Sequence, residues 1–114
     1  MWTLTRLRKE AWIVLTRKTT AIHIKKCPDG ISAYSVFNSE RPNKIEIWVD
    51  TYTCRLDYAV VHEIFHYLLD RHLTPHFSYP VYENFIASLE KQFWSRMTIK
   101  ELNKWRKAIE HLRR

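Results

Sequence analysis

The stretch VVHEIFHYLLD, Val60 to Asp70, decides how the rest of the chain is read. Its apolar residues do not alternate as a half-buried strand's do. At about 100° per residue, Val60, Val61, Ile64, Phe65 and Leu68 gather on one side of a helix. His62 and His66, four residues apart, point together from another side, with Ala59 beside them and Glu63 at their flank. The histidines therefore face into the protein from a helix that is apolar across its back. Two inward histidines with nothing to bind are costly to desolvate, and a metal ion satisfies both. The order H-E-x-x-H thus reads as part of a zinc centre. His62 and His66 are its ligands, and Glu63 reaches water at the metal without taking a coordination place. The bland alternative is a helix whose two core histidines are hydrogen-bonded elsewhere.

Outward from this helix, expected over about Arg55 to Arg71, both flanks carry clear period signals. Upstream, KIEIWV alternates Ile45, Ile47 and Val49 with Glu46 and Trp48, which predicts a strand. TAIHIKK and ISAYSVF predict two more, joined by CPDG, where Pro28 and Gly30 suit a tight turn. Before them Leu4, Leu7, Ala11, Val14 and Leu15 recur at helical steps. Downstream, Pro80 fits a first helical turn, and Tyr82, Phe85, Ile86, Leu89 and Phe93 form a stripe. Thr98 with Glu101 is a capping box for a last helix whose apolar side is Ile99, Leu102, Trp105, Ile109 and Leu112. The expectation is a small α+β domain: an N-terminal helix, a three-stranded sheet, the H-E-x-x-H helix, a second metal-side helix and a C-terminal helix.

Catalytic zinc takes three protein ligands and leaves a fourth place to water. Three residues compete for the third position. His72 has metzincin spacing, but a sharp break three residues after His66 would fall on Leu69, which tolerates a left-handed turn poorly. His76 lies in the connection after Pro75. Glu83 lies one turn inside the next helix, and an antiparallel helix pair brings that turn to His66; small Ala87 permits close approach. Glutamate in a first turn is also favoured by the helix dipole alone. Glu83 is the preferred reading.

A strand, H-E-x-x-H and then glutamate on the following helix resembles the gluzincin type of zinc metallopeptidase. The short length makes the chain most similar to the minigluzincins, minimal soluble relatives of membrane-embedded peptidase domains. The resemblance spans roughly Ile45 to Phe93, with HEIFH its specific part. It implies a zincin-like fold, zinc on His62, His66 and Glu83, and Glu63 as general base in peptide hydrolysis. One departure stands out: many gluzincins carry aspartate four residues after the ligand glutamate, where this chain has Ala87. The resemblance also implies that a C-terminal segment, here 98–114, can block the cleft; its end, EHLRR, offers His111 and a terminal carboxylate to the metal, and the bland alternative is a helix that only completes the hydrophobic core. Tyr79, Tyr82 or an unused histidine are candidates to meet the oxyanion.

The bulk properties bound the rest. A chain of 114 residues with 46% hydrophobic residues makes one domain over 1–114 with a real core. One glycine excludes a Gly-rich phosphate loop, and no segment approaches a membrane span or a signal peptide. A cytoplasmic protein, a monomer or a swapped dimer, acting on a peptide or protein substrate is the expectation. Cys27 and Cys54 form no C-x-x-C pair and read as free thiols. The charge of +7 is spread rather than clustered. It leaves open a rival class, a basic nucleic-acid- or protein-binding module without catalysis.

Overall fold

A computed structural model describes residues 3–37, 44–73 and 78–114, with only the backbone given for Phe37 and for residues 71–73. The elements are α1 (Leu4–Ile13), β1 (Thr19–Ile24), β2 (Ala33–Phe37), β3 (Ile45–Val49), α2 (Leu56–Leu73), α3 (Tyr79–Ser95) and α4 (Ile99–Leu112). The architecture is the expected α+β domain, four helices on a three-stranded mixed sheet.

Local chemistry accounts for the element ends. Thr3 caps α1 by accepting from the Arg6 N–H at 3.1 Å. The helix then widens into one π-type turn over Val14–Lys18. At the exit from that turn the Thr19 backbone N–H and hydroxyl both donate to the Val14 carbonyl, the hydroxyl at 2.9 Å. In the β1–β2 turn Gly30 has φ of 80°, and the Ile31 N–H bonds the Pro28 carbonyl at 3.0 Å. A side chain there would be strained, so glycine is required. The Thr98–Glu101 capping box forms in both directions, at 3.2 Å each way.

The strand order is β1-β3-β2, with β1 parallel and β2 antiparallel to β3. Strand β3 is therefore central, and the edges are β1 and β2. Alternation sends Ile45, Ile47 and Val49 into the core, where they meet Leu7, Ala11 and Leu15 of the N-terminal helical segment and Val61, Ile64 and Phe65 of α2. Two stripe residues go elsewhere than expected. Ile99 is 77% exposed and Phe85 47% exposed, because Trp105 and Ile109 suffice to bury α4, and Tyr82, Ile86 and Phe93 to bury α3.

The C-terminal residues lie beside β1. The Arg114 N–H donates to the Ile22 carbonyl at 2.8 Å, next to a parallel bridge between Ile22 and Arg113. Arg113 and Arg114 thus sit along the β1 edge. No residue of α4 is among the described residues that line the cleft. Among the described residues no helix is long and apolar enough to cross a membrane.

Candidate metal centre

Helix α2 carries Tyr58, His62, His66 and Asp70 at four-residue steps, which places them in one row along a single face. Helix α3 runs antiparallel to that row, so its late residues meet early ones of α2 and its early residues meet late ones. Trp94 lies against Tyr58 with ring centroids 4.9 Å apart. Glu90 meets His62, Glu83 meets His66, and Tyr82 meets Asp70. Phe65 and Phe93, both fully buried and edge-to-face at 5.4 Å, lock the pair together.

The two imidazoles converge. Their Nε2 atoms are 3.0 Å apart. Glu83 sends one carboxylate oxygen to 3.1 Å from the His66 Nε2 and the other to 3.7 Å from the His62 Nε2. These three side chains form a group whose ligand atoms all lie within 4.8 Å of one another. The opposite ring nitrogens are also engaged: His66 Nδ1 lies 2.9 Å from Asp70 Oδ1, and His62 Nδ1 contacts the Glu90 carboxylate.

That arrangement tests whether a cation fits. An ionised carboxylate only accepts, so Glu90 and Asp70 favour a proton on each Nδ1, while Glu83, 3.1 Å from the His66 Nε2, competes for one on that side. With both protons on Nδ1, two lone pairs and the Glu83 carboxylate face one point. A proton or a metal ion must reconcile them. For zinc bonded to nitrogen at about 2.0–2.1 Å in a tetrahedron, ligand atoms stand about 3.3 Å apart, close to the spacings here. A two-histidine, one-carboxylate set with carboxylates behind the imidazoles suits zinc.

Glu63 is 8% exposed and lines the same cleft. Burial pushes its carboxyl pKa above the ordinary value, against the opposing pull of His66 and His62. Burial also pulls His62 down, but the hydrogen bond and charge of Glu90, with help from Glu63 and Glu83, outweigh it and leave the ring's pKa raised. The cleft, about 640 Å³, has the β1–β2 turn and edge strand β2 (Gly30 to Ser35) as one wall and α2 with α3 as the other.

Of the candidates for the third ligand, the structure brings Glu83 to the two histidines. Helix α2 continues past Leu69 to Leu73, without the sharp break that metzincin geometry needs. The His72 side chain and all of His76 lie outside the described residues. Among the oxyanion candidates, Tyr79 lines the cleft and is 74% exposed. Tyr82 also lines the cleft, but it is buried and its hydroxyl donates to Asp70. Burial first, then Asp70, pushes its pKa up. Asp70 and Glu90 are absent from the sequence reading. Asp70 was findable as a carboxylate one turn beyond His66, and Glu90 as one lying on the Glu83 face two turns along α3.

Comparison with protein-family profiles, with curated proteins and with solved structures gives no match to this chain.

Proposed function

We propose that this chain is a zinc-dependent metallopeptidase of the gluzincin type, with zinc on His62, His66 and Glu83. The observation that carries the reading is the meeting of both Nε2 atoms with the Glu83 carboxylate, beside a buried glutamate on an open cleft. Zinc, when bound, supplies Lewis acidity that polarises a carbonyl and acidifies water toward neutral pH. With zinc held there, the Glu63 carboxylate would take a proton from the attacking water and return it to the leaving amine, and its burial makes it the stronger base for this task. Strand β2 is an edge and borders the cleft, so an extended peptide can pair with its backbone while its scissile bond faces the histidines.

The experiment is zinc analysis of protein purified without added metal, followed by assay on a mixed fluorogenic peptide library. About one zinc per chain, and cleavage that Glu63→Gln abolishes, is the expected result. A protein that takes up no zinc would sink the reading; a zinc protein that cleaves no peptide would reduce it to a binding site.

One feature favours a second reading, the basic binding module. On the sheet face away from the helices His23, Trp48 and Tyr34 stack in one register row, at 4.6 and 5.3 Å between ring centroids. Stacked rings on a basic protein suit single-stranded nucleic acid. Titration with a labelled oligonucleotide at two salt concentrations decides it: absent or salt-insensitive binding removes this alternative.

A further inference from the structure

The two histidines of the cluster are held from behind in different ways. His66 has its carboxylate on its own helix, one turn further on, in Asp70. One turn before His62 the same row holds Tyr58, which lies against Trp94 and offers no carboxylate. The group behind His62 comes instead from across the helix pair. Glu90 on α3 contacts the Nδ1 of His62, with its side chain only 19% exposed. A carboxylate that far out of water needs a charged or donating partner, and His62 is the one it meets.

A neutral imidazole can carry its proton on either nitrogen, and the hydrogen bond at one nitrogen decides which form is present. An acceptor behind Nδ1 selects the form whose Nε2 lone pair is free. It also fixes the ring about its own bond and strengthens that lone pair as a ligand. We infer that Glu90 is a positioning residue of the metal centre, setting the tautomer and orientation of His62 and through them the zinc affinity of the His62–His66–Glu83 cluster. This rests on the reading of those three residues as a zinc centre, but needs no catalysis. The bland alternative makes Glu90 a mere ion pair between α2 and α3, which would stabilise the fold and leave metal affinity alone.

The helix supplies its own control. Positions 83, 87 and 90 lie on one face of α3, and position 87 is Ala87, which opens onto a side cavity shared with Tyr58, Glu90 and Trp94. An aspartate there stands on the same wall with a shorter arm. If an accepting carboxylate behind His62 is what matters, it can be moved.

The test uses the full chain as wild type, Glu90→Ala, Glu90→Gln and the double variant Glu90→Ala with Ala87→Asp. Zinc affinity is read by chelator competition, the visible spectrum of bound cobalt reports ligand geometry, and melting of the zinc-free proteins reports the fold. Glu90→Ala should lose about 10- to 100-fold in zinc affinity, the range expected of an outer-sphere partner, and change the cobalt spectrum. Glu90→Gln should fall between, since its carbonyl still accepts from Nδ1 and its shape preserves folding. The double variant should regain part of the loss. Zinc affinity in Glu90→Ala and Glu90→Gln equal to wild type, with only melting lowered, would show an ion pair and overturn the inference. A double variant no better than Glu90→Ala would overturn it as well, by tying the effect to packing at position 90. Wild-type protein that binds no zinc is a separate failure, that of the metal centre itself.

Discussion

Zinc should raise the melting temperature of this protein by an amount that can be worked out in advance. A ligand at a hundredfold excess over its Kd stabilises the folded state by about 2.7 kcal/mol. With about 2.1 cal/mol/K of unfolding entropy per residue, a chain of 114 residues has about 0.24 kcal/mol/K, so the shift is about 11 °C. His62→Ala, His66→Ala and Glu83→Ala should each remove most of it, because each takes away one of the three proposed ligands. The shift should also depend on pH. The folded-state pKa of His62 lies above its unfolded value. Its contact with Glu90 therefore stabilises the zinc-free protein below the unfolded pKa, and that contribution fades as pH rises through the folded one. Zinc needs the neutral ring. Its stabilisation must consequently be smallest in mild acid and grow as pH rises past the folded-state pKa of His62. Differential scanning calorimetry of zinc-free and zinc-loaded protein across that pH range reads both effects. A shift that survives in Glu83→Ala, or one that is flat with pH, would refute the assignment of the ligands.

Four further outcomes are expected. Glu63→Gln should keep the zinc-induced shift while peptidase activity falls about 10²- to 10⁴-fold; calorimetry and a peptide assay on the same sample check it. Thr98→Ala should cost about 1 kcal/mol, or about 4 °C in Tm, by opening the capping box. Phe93→Ala should cost about 3–5 kcal/mol in urea unfolding, because its fully buried ring touches Phe65 and Trp105 edge-on. Removing Arg113 and Arg114 should uncover the β1 edge and leave peptidase activity where it was, since the chain end bonds Ile22 and not the cleft; a gain in activity would revive the restraining role of segment 98–114.

The parts legible in the sequence were those governed by neighbours along the chain. Periodicity placed all four helices and three strands to within a few residues, because burying one face imposes a 3.6- or 2-residue repeat whatever it packs against. Gly30 in its turn and Thr98 with Glu101 are likewise local chemistry. So is the pairing of His62 with His66, since four residues return a helix to the same side. Even Glu83 was within reach, through one assumption: that a short connection makes α2 and α3 antiparallel.

What the sequence left undecided depends on which elements meet. Strand order is one case: KIEIWV has the alternation of a sheet with one covered face, and nothing in it says whether neighbours lie on one side or both. The structure puts it in the centre and gives the cleft to β2. Exposure of Ile99 and Phe85 is another, because a stripe names the apolar residues but not how wide a strip the neighbours cover. The outer carboxylates are the sharpest case. Asp70 serves His66 from the same helix, by local spacing. Glu90 meets His62 only because α3 crosses α2 in one particular register, the two standing 28 positions apart in the chain. A hydrogen bond to one ring nitrogen selects a tautomer over a range of a few ångströms, and only tertiary packing sets distances that small between residues that far apart.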